Sequence, residues 1–347
     1  MILWWMSLTA LAGYGDPLDG HPQYNDRAIH FWTNAARVAP TSWDGDHALS
    51  NPPCSSAGFR PEERTPRPGL LWNHDLGDAA RAHTDDMVEN GFFSHTSSDG
   101  TRWSNRVRAF YPNGAIGENI ARGYLSSRSA VLSGWMCSDG HRANITSSTF
   151  DEIGAAGRSQ TYTQNFGGRG LSPRAVSSGL HVPEHPTSDV QILADVWIDP
   201  EELDEVVAVI EGVEVPMRVI AGTEGRGVYS AWIDTTSDCH RWFVEVRSSQ
   251  TSEVRYPEEG SYGWGDCAWD DPETRWSAQQ IEPVSSQPSD EPDDDPLAPD
   301  DELQSASDQP LDCEGCASGS GPLRWSLLGA LIFALRRRTG PRSLRPG

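Results

Sequence analysis

Along the first half of the chain, apolar residues recur at helical spacing. From Asn25 to Val38, Ile29, Trp32 and Ala36 fall on one face, and Pro40 ends the pattern. Asp75 to Asn90 repeats it with Leu76, Ala80, His83 and Met87, and Gly91 stops it. Ser126 is placed to cap a third helix carrying Val131, Trp135 and Met136. Residues 41–69 are Pro-rich, show no period and read as loop. From about residue 187 the period becomes two: Val190, Ile192, Ala194, Val196 and Ile198 alternate with mostly polar neighbours. Further apolar runs follow at Val206–Ile210, Val215–Ala221, Val228–Ile233 and Trp242–Val246. Short, evenly spaced strands of this kind predict an antiparallel, immunoglobulin-like sandwich. The pattern therefore predicts an α+β chain, with a mixed domain over residues 25–175 and a small all-β domain over 186–276.

Charge sharpens that division. The 347 residues carry a net −23, and all 27 basic side chains are Arg. Residues 1–184 hold 18 acids against 15 Arg, so the first domain is nearly neutral. Residues 185–276 hold 20 acids against 6 Arg, and residues 277–312 hold eleven acids and no base. The last of these segments reads as a solvated, self-repelling linker. A nucleic-acid partner needs a basic face, which excludes it for the acidic second half. For the first half the exclusion rests on the motifs described below.

The two ends read as targeting signals. Residues 1–15 are apolar with small residues at Ala10-Leu11-Ala12, a possible signal peptide without a basic leading region. Residues 313–347 hold Cys313-Glu-Gly-Cys316, an apolar run from Trp325 to Leu335, and then Arg336, Arg337 and Arg338. Eleven residues span about 16 Å as helix, short of a ~30 Å hydrocarbon core. This arrangement resembles the MYXO-CTERM type of C-terminal sorting tail, which implies a secreted or surface-anchored chain with membrane contact through the tail only. The other four cysteines suit an oxidising compartment. Pairing Cys54 with Cys137 and Cys239 with Cys267 is expected, with two free thiols as the alternative for the first pair.

Candidate chemistry concentrates between residues 70 and 168. His95 follows a helix and a Gly-Phe-Phe turn, Glu118 lies in a Gly-Glu-Asn turn, and His141 lies in a Ser-Asp-Gly-His-Arg loop. Two imidazoles and a carboxylate on loops are a ligand set for a divalent metal such as zinc, or equally an acid/base cluster. Ser94 beside His95 is not a nucleophile–base pair by adjacency, and no Gly-x-Ser-x-Gly elbow occurs. His83, Trp72, Trp135 and Phe166 read as core, and Gln164 and Asn165 as partners of backbone groups. Arg142 is expected to pair with Asp139 or Glu152.

The segments LLWNHDLGDAARAHTDDMVENGFFSH (70–95), GENIARG (117–123), GWMCSDGHRANI (134–145), FDEIGAAG (150–157) and YTQNFGG (162–168) occur in that order. They resemble the bacterial branch of the CAP superfamily (cysteine-rich secretory proteins, antigen 5, pathogenesis-related proteins), also called the SCP domain. Asn34-Ala-Ala-Arg37 resembles the family's H-N-x-x-R motif, with Thr33 where the His would be. The resemblance covers residues 25–170 and implies a three-layer α/β/α sandwich. It also implies a central cavity containing His95 and Glu118, with Tyr162 replacing the second cavity His, Gln164 beside it, and His141 as a spatial substitute. The leading functional reading is a non-enzymatic binding module, taking a small apolar or lipid ligand, or an envelope or extracellular protein partner. The alternative is a metal-assisted, peptidase-like hydrolase in which His95, Glu118 and His141 hold the ion and Tyr162 stabilises an oxyanion. In a third reading the cluster only staples loops.

Overall fold

The computed structural model describes residues 22–43, 54–186, 188–235, 239–250, 254–258 and 260–264. The expectations for residues 1–15, 277–312 and 313–347, and for Cys267, fall outside them. Helix α1 (Tyr24–Val38) opens with Asp26 Oδ2 accepting the Gln23 N–H at 2.9 Å. Strand β1 (Leu71–Trp72) leads into α2 (His74–Glu89), whose first turn is capped by Asn73 Oδ1 accepting from Leu76 N–H at 3.0 Å. Next come α3 (Trp103–Phe110), β2 (Ala115–Arg122) and α4 (Ser127–Ser129). Ser126 caps α4 as expected, and the chain continues as a π-helical stretch, Ala130–Trp135. Helix α5 (Asp139–Ile145), β3 (Glu152–Arg158) and β4 (Thr161–Gly168) complete the first region.

These strands form one sheet in the order β1-β3-β4-β2, with β1 parallel to β3 and the remaining pairs antiparallel. Helix α2 packs against β3 and β4, and α1 also packs against β3. Along β4, Tyr162 and Phe166 join the core cluster that contains α1, whereas Thr163 accepts a hydrogen bond from Thr84 of α2 at 2.8 Å. The sheet therefore lies between the two helices. Helix α2 approaches so closely that a Cβ on Gly154 of β3 would lie 1.9 Å from the Gly77 nitrogen. The helix–sheet spacing thus depends on glycine.

Strands β5 (Val176–Val182), β6 (Asp189–Trp197), β7 (Leu203–Ile210), β8 (Val213–Pro216), β9 (Arg218–Thr223), β10 (Arg226–Asp234), β11 (His240–Ser248), β12 (Val254–Tyr256) and β13 (Tyr262–Trp264) build two antiparallel sheets. One has the order β5-β6-β10-β9; the other has β12-β11-β7-β8, with β13 also on β11. Val190, Ile192, Ala194 and Val196 share a core with Val206, Ala208, Ile210, Trp242, Val244 and Val246, so the period-two residues face inward between the sheets.

The opposite face of the β5-β6-β10-β9 sheet is buried as well. Leu180, Leu193, Ala221 and Val228 join the same core as Ile29, Phe31, Ala35 and Val38 of α1. Helix α1 is thus enclosed on both sides, and every residue from Ala28 to Val38 is buried. Its polar members are satisfied internally: Asn34 Nδ2 donates to Leu70 O at 3.0 Å and Ser178 Oγ at 3.1 Å, and Asn34 Oδ1 accepts from Leu70 N–H at 2.8 Å. Cys54 and Cys137 form a disulfide, as expected. Cys239 is disulfide-bonded too.

Candidate functional site

Glu118 projects from β2, not from a turn as expected, and its side chain is only 1% exposed. Both oxygens are engaged. Oε1 accepts from His95 Nδ1–H at 2.8 Å, and Oε2 accepts from Arg106 Nη2 at 2.5 Å. Turned with its nitrogen toward this carboxylate, the Asn165 amide adds a donor to Oε2 at 3.2 Å. Arg106 belongs to α3 and is itself buried. It reaches the loop carrying His95 as well, through Ser97 Oγ at 2.6 Å and His95 O at 3.2 Å from each terminal nitrogen. A fixed cation thus neutralises a buried carboxylate and ties down the segment that presents the imidazole. Arg122 of β2 secures the preceding turn by donating to Met87 O at 3.1 Å and to Phe92 O, and it covers the Phe93 ring.

The outcome is an oriented histidine at the surface. His95 commits Nδ1 to Glu118, while its side chain remains 41% exposed. His141, read above as a loop residue, lies on α5. Burial, and then the neighbouring His95, push its imidazole down to about 4, so it is neutral at pH 7. Asn119 donates to His141 O at 3.1 Å, and Asn144 donates to Asn119 Oδ1 at 2.9 Å and Glu118 O at 3.3 Å, fastening α5 to the edge strand β2. His83 sits beneath the cluster with Nε2 on Ser94 O at 2.9 Å, and burial lowers its pKa. It is fully buried, consistent with its reading as a core residue.

Two expected cavity residues point elsewhere. Tyr162 and Gln164 lie on the α1 side of β4, whereas Asn165 lies on the α2 side with Glu118. Tyr162 donates to Tyr124 O at 2.9 Å, and burial raises its pKa. Gln164 donates to Thr33 Oγ1 and accepts from Asn119 at 3.0 Å, so its partners are side chains, not backbone groups. The cause is the two-residue alternation of a strand. Arg142 pairs with Asp139 at 2.6 Å as expected, but its second acid is Glu63 at 3.0 Å. Glu152 is held instead by Asn73, Tyr111 and Arg169.

His95, Glu118 and His141 are not brought together as the metal set of the alternative reading. Among the described residues, no group of three His, Cys, Asp or Glu side chains could hold an ion. A cation approaching Glu118 would have to displace Arg106, whose charge is permanent. Sequence reasoning missed Arg106. Trp103, Val107 and Tyr111 repeat every four residues, a helical signal, but nothing separates Arg106 from Arg102 or Arg108. Clefts of about 350 and 290 Å³ open elsewhere, the first beside Arg81, Asp85 and Arg158, the second beside Arg37 and Arg67. Neither is lined by His95, Glu118 or His141.

Residues 32–166 match the family model described as CAP, the cysteine-rich secretory protein family, which supports a CAP (SCP) domain over that segment. The chain is 35% identical over 98 residues to "Uncharacterized membrane protein YlbC" of Bacillus subtilis (strain 168), covering 28% of each. It is 29% identical over 144 residues to "Uncharacterized protein YkwD" of the same organism, covering 40% of this chain and 52% of that one. The match thus spans about a quarter of the first relative and half of the second. Among solved structures, an extracellular protein containing a SCP domain from Bacillus anthracis str. Ames is 34% identical, covering 29% of this chain and 34% of that one, with a TM-score of 0.27.

Proposed function

We propose, from the CAP match over residues 32–166 and the geometry around Glu118, that this chain is a secreted or surface-held binding module whose ligand contacts are His95 and His141. The observation that carries this reading is the commitment of both Glu118 oxygens, to His95 and to Arg106. A carboxylate so occupied orients an imidazole and is not free to take up a substrate proton. Among the described residues, the side-chain partner of His95 is Glu118, not the Ser, Thr or Cys that a nucleophile–base pair would use. What remains is a fixed hydrogen-bonding imidazole close in sequence to the 42%-exposed Phe93. That combination suits an amphipathic, lipid-like ligand with a polar head and an apolar body. In this reading residues 1–15 direct export and residues 313–347 hold the chain at the cell surface, with the acidic segment 277–312 as a spacer.

The test is mass spectrometry of the purified full chain after organic extraction, together with co-sedimentation on vesicles made from envelope lipids. A lipid species retained by the wild type and lost in His95→Ala supports the proposal. Protein that carries no extractable ligand and ignores the vesicles overturns it. Fractionation of cells expressing the chain with and without residues 313–347 checks the anchoring arm.

A further inference from the structure

The cleft of about 290 Å³ carries two guanidinium groups that the site above does not use. It forms where the end of α1, the segment before β1, the loop before β3 and the β4–β5 connection meet. Arg37 is 2% exposed, and its donors all meet main-chain carbonyls: Nε on Pro68 O at 2.9 Å, Nη1 on Ile145 O at 2.7 Å and Ser147 O at 2.8 Å, and Nη2 on Phe150 O at 3.4 Å. Arg67 lies against it, with its backbone N–H on Arg37 O at 2.9 Å. The Arg67 guanidinium makes no hydrogen bond or ion pair among the described residues, and its Nε is buried without a partner. Burial, and then the charge of Arg67, push Arg37 down to about 9, against the opposing pull of Asp151 and Asp195. Two cations therefore disfavour each other across one cleft.

The nearby acids do not resolve this. Asp151 lines the cleft, but its carboxylate accepts the backbone N–H groups of Arg169 at 3.1 Å, Gly170 at 2.5 Å and Leu171 at 2.8 Å, and so holds the opposite wall. Asp195 lies behind Gly69, where an added Cβ would meet its Oδ2 at 2.3 Å, and its Oδ1 is taken by Ser178 at 2.5 Å. An orphaned buried donor calls for an explanation, and the fork of one guanidinium with uncommitted donors, here Arg67, is a group that recognises an oxyanion. Ser148, Thr149 and Ser172 add hydroxyl groups to the lining.

We infer that this cleft binds a phosphoryl oxyanion, with Arg67 as the principal contact and Arg37 as a fixed positive floor. A tetrahedral phosphoryl group presents oxygens in several directions and suits donors on more than one wall better than a planar carboxylate. The volume lies at the low end of the ~300–1,000 Å³ typical of small-ligand sites. It accommodates a phosphate with a small attached group, either a soluble ester or a lipid headgroup. This site is separate from His95, so it stands or falls independently of the reading given above.

The experiment is isothermal titration of the full chain with inorganic phosphate at low ionic strength, where screening is weakest. Saturable single-site binding is expected, weakened at least tenfold in Arg67→Gln and unchanged in Arg158→Gln, which alters the other cleft. Arg67 is only half-buried, and matched melting temperatures confirm an intact fold. As a measurement on the wild type alone, phosphate raises the melting temperature above that in chloride of equal ionic strength. Co-sedimentation with phosphatidate-containing vesicles, compared with phosphatidylcholine alone, separates the sources. Arg67-dependent sedimentation assigns the headgroup, and phosphate binding without sedimentation assigns a soluble ester. No saturable phosphate binding, or binding indifferent to Arg67→Gln, overturns the inference.

Discussion

Asp195→Asn should stabilise this protein, and more so as the pH rises. Asp195 is fully buried on β6, facing α1, with Oδ1 on Ser178 Oγ and Oδ2 accepting no hydrogen bond of good geometry. Burial raises its pKa from 3.8 to about 6, against weaker opposing contributions from the Ser178 hydroxyl, the Ser178 and Ser177 N–H groups and the Asn34 amide. A shift of about two units corresponds to roughly 3 kcal/mol. Its sign follows from proton counting. Between about pH 4 and 6 the folded state holds a proton that the unfolded state has released, so stability falls as pH rises through that window. The Asp195 contribution is complete below about pH 4 and lost above about pH 6, whereas Asn mimics the protonated form at every pH. His30 and His181, held down to about 4 and about 3 chiefly by burial, act in the opposite direction, since their contribution is lost as pH falls below ~6.5. They cancel when variant and wild type are compared. Urea unfolding followed by tryptophan fluorescence at pH 4, 6 and 8 should show the advantage of Asp195→Asn growing by about 3 kcal/mol from pH 4 to pH 8. A difference constant to within about 1 kcal/mol, or one that shrinks with pH, refutes the reasoning.

Two further perturbations test the site and its support. Arg106→Met removes the cation from Glu118, whose side chain is 1% exposed, and should cost about 3–5 kcal/mol in urea unfolding, partly recovered by adding Glu118→Gln. A loss under about 1 kcal/mol would show that the pair is not structural. Gly154→Ala puts a methyl group 1.9 Å from the Gly77 backbone, which no rotamer can avoid. It should reach or exceed the upper end of the ~1–3 kcal/mol usual for overpacking, whereas Gly58→Ala, with nothing within 4 Å, should stay within about 0.5 kcal/mol. Equal melting temperatures for these two variants would contradict the close helix–sheet approach.

Much of the architecture was legible along the chain. The Gly91 stop, the Ser126 cap and the alternation from Val190 to Val196 are signals within one turn or a few residues, and each marks an element in the fold. The family motifs singled out His95 and Glu118, which do meet at 2.8 Å. Their common partner Arg106 carried no such mark, because its role depends on how α3 crosses the loop at residues 95–97. Tyr162 and Gln164 were grouped with the wrong face because register, pairing Glu118 with Asn165 and Asn119 with Gln164, settles which side each residue serves.

Helix α1 shows most clearly where local information ends. Ile29, Trp32 and Ala36 mark one apolar stripe, but the periodicity does not say what covers His30, Thr33, Asn34 and Arg37 on the rest of the turn. All four polar residues are buried, because elements close over the helix from several sides: Leu70 meets His30, Gln164 of β4 meets Thr33, Ser178 of β5 meets Asn34, and the Pro68, Ile145 and Ser147 carbonyls meet Arg37. Caps and periodicity act between residues a few positions apart, so the chain itself carries them. Which faces meet, and which charges end up paired, depends on contacts between segments more than a hundred residues apart, and these exist only once the layers have assembled.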